Sequence, residues 1–68
     1  MVEIFKTDIS IMKDAERVVS CLHLHLPLRA NVDLHDSDKV LRIEAADIPV
    51  QDICQIVSGL GFLCELLE

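Results

Sequence analysis

Tryptophan and tyrosine are absent from this chain, and phenylalanine occurs only at Phe5 and Phe62. Bases bind by stacking on aromatic rings, so the platforms of a single-strand nucleic-acid binder are poorly supplied. Basic runs are absent too. Six Lys and Arg are scattered among twelve Asp and Glu, giving a net charge of −6. Such a surface repels nucleic acid and anionic membranes and suits cations or a basic protein patch. No apolar stretch approaches the roughly 18 residues that a membrane span needs. The opening Met1-Val2-Glu3-Ile4-Phe5-Lys6 lacks the basic segment and apolar stretch of a signal peptide. Glycine occurs twice, at Gly59 and Gly61, and no Gly-rich phosphate loop is present. The three cysteines, Cys21, Cys54 and Cys64, have no Cys-x-x-Cys spacing, so a redox motif is excluded. An odd cysteine count without an export signal predicts free thiols and a cytoplasmic location.

What is present is a hydrophobic period that changes along the chain. Val2 to Ile9 mixes β-branched and aromatic residues with charge, as a half-buried strand does. Phe5, Thr7 and Ile9 form its expected core face, which leaves Val2 and Ile4 on the open side. Met12 to Leu26 follows the helical rule, with Ala15, Val18, Val19, Leu22 and Leu26 on one face. Ser10 is its expected N-cap, and Pro27 ends it. Alternation by twos returns in Asn31 to His35 and in Lys39 to Ala45, separated by the turn-formers Asp36-Ser37-Asp38. Val32, Leu34, Leu41, Ile43 and Ala45 should then face inward. Pro49 to Leu60 reads as a second helix with Val50, Ile53, Cys54, Val57 and Leu60 inward. Gly59 and Gly61 bracket its end, and Leu63 to Leu67 reads as a closing strand.

The order βαββαβ predicts an α+β ferredoxin-like sandwich over residues 1–68. Two helices would lie on one face of a four-stranded antiparallel sheet, with the first and third strands central. The open face should display Glu3 or Lys6, Asp33, His35, Val40, Arg42 and Glu44. A domain of this size buries only about 60% of the surface its unfolded chain exposes, so added stability from dimerisation is expected.

The succession of Phe5-x-x-x-Ile9, a helix carrying Ala15, Val18 and Leu22, Val32-Asp33-Leu34, Lys39-Val40-Leu41 and Gly61-Phe62 resembles the heavy-metal-associated domain. That is the family of small copper chaperones and of the metal-binding modules of copper-transporting ATPases. The resemblance covers nearly the whole chain and implies the same fold. The family grips Cu(I) with Met-x-Cys-x-x-Cys after the first strand. The matching stretch here is Ile9-Ser10-Ile11-Met12-Lys13-Asp14, with Ile11 and Asp14 where the cysteines would stand. Neither residue makes a soft-metal site, so the resemblance does not carry the family's metal binding with it.

Other groups could take up chemistry. In Cys21-Leu22-His23-Leu24-His25, Cys21 and His25 lie one helical turn apart and could share Zn or Cu. His23, His35 or a second subunit would have to complete the shell. The competing reading makes Cys21 a small buried hydrophobe and the histidines partners of the helix dipole. Asp33, Asp36 and Asp38 beside His35 lack the glycine and distant Glu of an EF-hand, and read as a solvated turn. No serine has a neighbouring base at a diagnostic spacing. The fold also hosts acylphosphatases, whose anion loop carries an Arg after the first strand, and amino-acid-binding ACT modules, whose ligand loop carries glycine. Ser10-Ile11-Met12-Lys13 supplies neither. The expectation is a non-enzymatic module that binds a partner protein or a second copy of itself, with a Cys21/His23/His25 metal site as the alternative.

Overall fold

A computed structural model describes residues 1–67 of the chain. Its elements are β1 (Val2–Thr7), α1 (Met12–His25), β2 (Arg29–Val32), β3 (Leu41–Glu44), α2 (Val50–Gly59) and β4 (Cys64–Leu66). The strands form one antiparallel sheet in the order β2-β3-β1-β4, so β1 and β3 are central as expected. This is the ferredoxin-like arrangement, with α1 packed on β2 and α2 on β4.

Register decides which side chains meet the helices. Phe5 lies opposite Leu41 on β3 and Leu66 on β4, and Ala30 opposite Ile43. Side chains alternate across a strand, so these positions share the helix side of the sheet. Phe5, Ile9, Leu41 and Ile43 pack there against Ala15, Val18 and Leu22 of α1 and Ile53 and Val57 of α2. All nine are buried. The helical spacing of the sequence therefore marks the right faces. Val19, Leu26, Val50, Cys54 and Leu60 take half-buried places at the margin.

Three local expectations are corrected. Ser10 does not cap α1: Ile11 occupies the N-cap position, and no side chain bonds there. The helix starts with the Ala15 N–H donating to the Ile11 carbonyl at 3.1 Å, one residue beyond where the Ser10 hydroxyl would be needed. Pro49 stands at the N-cap of α2, just before its first turn. The second strand runs Arg29–Val32 instead of Asn31–His35. The ladder ends where the Asp33 N–H donates to the Val40 carbonyl. Beyond it the Asp33 carboxylate accepts from the His35 N–H at 3.0 Å, and that of Asp36 from the Asp38 N–H at 2.7 Å. These side-chain bonds bend the backbone out of the ladder. Leu34 keeps its inward, half-buried place without being in a strand.

That turn closes on Lys39, whose φ of 47° is in the left-handed region. Its N–H donates to the Asp36 carbonyl and its Nζ to the Leu34 carbonyl at 2.8 Å. Its own carbonyl accepts the Thr7 hydroxyl. Among the described residues Thr7 is the one buried polar residue in the core, and its Oγ1 also accepts from the Ile9 N–H at 3.2 Å. A single hydroxyl thus joins the end of β1 to the β2–β3 turn.

At the other helix the glycine expectation holds with more detail. The Phe62 N–H donates to the Val57 carbonyl and the Gly61 N–H to the Ser58 carbonyl, with Gly61 at φ 98°. This is the Schellman pattern, which needs a left-handed residue after the helix.

Candidate functional site

Cys21, His23 and His25 lie in the last turns of α1, with Cys21 half-buried and both histidines exposed. The imidazoles diverge. His23 borders a depression with Pro27, Arg29 and Glu44, whereas His25 borders another with Asp52, Gln55 and Ile56. His35, the other candidate ligand, lies in the β2–β3 turn with Asp33 and Val40. That turn is at the opposite end of a 14-residue helix, about 20 Å long. Among the described residues no three His, Cys, Asp or Glu converge on a point where a metal could sit. Neither His23 nor His35 of the same chain therefore completes a shell around Cys21 and His25.

The segment between β1 and α1 has a different character. The Asp8 carboxylate accepts from the Leu63 N–H at 2.8 Å, tying this segment to the one preceding β4. Ile11 and Met12 project into solvent, 53% and 63% exposed. No thiol is present here, since the three cysteines lie on α1, α2 and β4. The donor set of this segment and the first residue of α1, a hydrogen-bonded carboxylate, a hydroxyl and the Met12 thioether, does not fit a two-thiolate soft-metal site.

Sequence spacing gave no hint that Cys54 and Cys64 would meet. Cys54 is on the inner side of α2, beside Ile53 and Val57, and Cys64 lies opposite Thr7 on the helix side of the sheet. Both are half-buried and both are free. Burial first, and then the neighbouring Cys54, raises the Cys64 thiol from 9.0 to about 12.

The open side of the sheet is not covered by any described element. By register it carries Val2, Ile4 and Lys6 of β1, Arg29 and Asn31 of β2, Arg42 and Glu44 of β3, and Glu65 of β4. Val2 and Ile4 are 44% and 39% exposed. Lys6 lies directly opposite Glu65, and Arg29 reaches Glu44 at 3.7 Å. Expected members Lys6, Arg42 and Glu44 are thus in place. Glu3 is opposite Ile43 and belongs to the helix side, and Asp33 and His35 fall in the turn. No helix among the described residues is long and apolar enough to cross a membrane.

Neither a family model nor a curated protein matches this chain. Among solved structures, the yeast copper transporter domain CCC2A, determined in solution in its apo and Cu(I)-loaded states, is similar with a TM-score of 0.83. The match spans 98% of this chain and 94% of that one at 14% identity. The likeness shows that the two chains share a fold.

Proposed function

With that fold as the starting point, we propose that the chain is a non-enzymatic association module that pairs with a second copy of itself through the open face of its sheet. The observation that carries this reading is the uncovered face itself. Val2 and Ile4 are exposed there among charges of both signs. On a chain of net charge −6, this face gathers the cations Lys6, Arg29 and Arg42 against the anions Glu44 and Glu65. A second copy meeting the same face avoids the repulsion that the acidic remainder would impose, and a two-fold contact brings the cations of one copy towards the two anions of the other. The metal site of the resembled family forms no part of the function, because the β1–α1 segment holds Ile11 and no thiol.

Sedimentation equilibrium over a hundredfold range of concentration tests the proposal. The expected result is a monomer–dimer equilibrium that Ile4→Lys abolishes while the far-ultraviolet circular dichroism stays unchanged. A monomer at every concentration overturns self-association, and capture of a defined foreign protein by the same face would replace it. Repeating the run with Zn²⁺ or Cu(I) tests the alternative centred on Cys21 and His25, which now requires a ligand from a second copy. Metal-driven dimerisation lost in Cys21→Ala but kept in Ile4→Lys would favour that alternative.

A further inference from the structure

Three cysteines are distributed over three elements, and the fold treats them unequally. Cys21 is one helix away from the others, on α1 beside the exposed histidines. Cys54 and Cys64 come from α2 and β4, which pack on each other. Both side chains are directed into the layer between helix and sheet, Cys54 as part of the inner surface of α2 and Cys64 through its pairing with Thr7. Both keep partial access to solvent, which a small reagent needs. Disulfide exchange requires two thiols that the backbone already holds near each other, and one of them open to attack.

We propose that Cys54 and Cys64 form a dithiol modification site, which small-molecule disulfides convert to an intrachain bond tying α2 to the edge strand β4. In the first step the Cys54 thiolate attacks one sulfur of the small disulfide. A mixed disulfide forms, and one thiolate leaves and takes a proton from water. In the second step the Cys64 sulfur, its proton released to solvent, attacks the sulfur of Cys54. The Cys54–Cys64 bond forms, and the second small thiol leaves. Two protein thiols give up two electrons and two protons, and one small disulfide becomes two small thiols. Cys64 does not take the first step, because burial and the neighbouring Cys54 hold its proton.

The pairing is independent of self-association, since it lies on the helix side of the sheet and the proposed contact on the open side. Its consequence falls on β4. This edge strand has three residues, Cys64–Leu66, and is bonded to β1 alone. A covalent tie to α2 fixes it to the second layer.

The experiment uses the full chain with oxidised glutathione, quenched by acid and read by intact mass and peptide mapping. The expected product has lost two hydrogens, carries a Cys54–Cys64 link and leaves Cys21 alkylatable or glutathionylated. Cys64→Ser should stop at a stable glutathione adduct on Cys54. Ring closure should be faster under native conditions than in urea, because the fold holds the two sulfurs together. Faster closure in urea, a link through Cys21, or stable adducts on both Cys54 and Cys64 of the unsubstituted chain would each overturn the proposal. The native-against-urea comparison uses the natural sequence, so it stands even where a substituted chain fails to fold.

Discussion

Replacing Thr7 by valine isolates the hydroxyl that joins β1 to the β2–β3 turn. Valine keeps the branched shape and the strand preference of threonine, so packing on the helix side of β1 is preserved. What disappears is the donor to the Lys39 carbonyl and the acceptor for the Ile9 N–H. Thr7 is 3% exposed, so water does not readily replace it. A buried polar group left without a partner costs about 1–3 kcal/mol. With two groups released and one of them near the surface, Thr7→Val should cost about 2 kcal/mol. Stabilities of roughly 0.05–0.15 kcal/mol per residue put a chain of this size at about 3–10 kcal/mol, so the loss is a large share of the whole. With a urea slope of about 1 kcal/mol per molar for a small domain, the unfolding midpoint should fall by about 2 M. Thr7→Ser is the control: it keeps the hydroxyl and loses one buried methyl, worth about 1 kcal/mol. Urea titrations of the three proteins should therefore rank natural chain, serine and valine in falling order. Valine at or above serine would refute the role given to the hydroxyl.

The two glycines should respond in opposite directions. Gly59→Ala adds a methyl to a helical position with open space around it and should raise stability by up to about 1 kcal/mol in thermal melts. Gly61→Ala places a side chain at φ 98° and should lower it by about 1 kcal/mol or more; equal effects at both sites would show that the Schellman turn is not formed. The pH dependence follows from Cys64, whose proton is held to about 12 in the fold against 9.0 for an ordinary thiol. Stability should be complete below about pH 9 and fall as pH rises from there, because the unfolded chain loses its proton first. A fully shielded group would give about 1.4 kcal/mol per pH unit. The half-buried thiol should give well under half of that, and the difference in slope between the natural chain and Cys64→Ala between pH 9 and 11 measures it.

Much of the architecture was legible because secondary structure leaves a period in the sequence. Ala15, Val18 and Leu22 repeat every three or four residues, and Leu41 and Ile43 every two, so the helix and strand faces were read correctly from neighbours in the chain. The same logic put Phe5, Thr7 and Ile9 inside and left Val2 and Ile4 out. Alternation alone misplaced the second strand. Val32-Asp33-Leu34-His35 alternates as a strand should, yet Asp33 and Asp36 spend their carboxylates on backbone N–H groups and turn the chain there. A period cannot distinguish an aspartate that faces water from one that bends the backbone. Ser10 failed as a cap for a related reason: cap geometry depends on where the first helical bond closes, and residue preference does not fix that within one position.

The candidate sites divide along the same line. Cys21 and His25 were visible because they are one turn apart on a single helix, and a single helix is all that spacing can describe. Whether His23 or His35 joins them depends on how elements sit against one another, and the fold sends the three imidazoles to different depressions. Cys54 and Cys64 illustrate the converse. Ten positions apart and on different elements, they share no motif, and they become neighbours because α2 packs over β4 with both side chains turned towards the core. The order of elements, their buried faces, the acidic charge and the lack of a Cys-x-x-Cys pair can all be read along the chain, since each is a property of local spacing or a sum over residues. The tertiary structure alone decided which thiols are neighbours, where the turn leaves the ladder, and which charges gather on the open face. Those depend on packing and strand register, which bring together residues that are far apart in the chain.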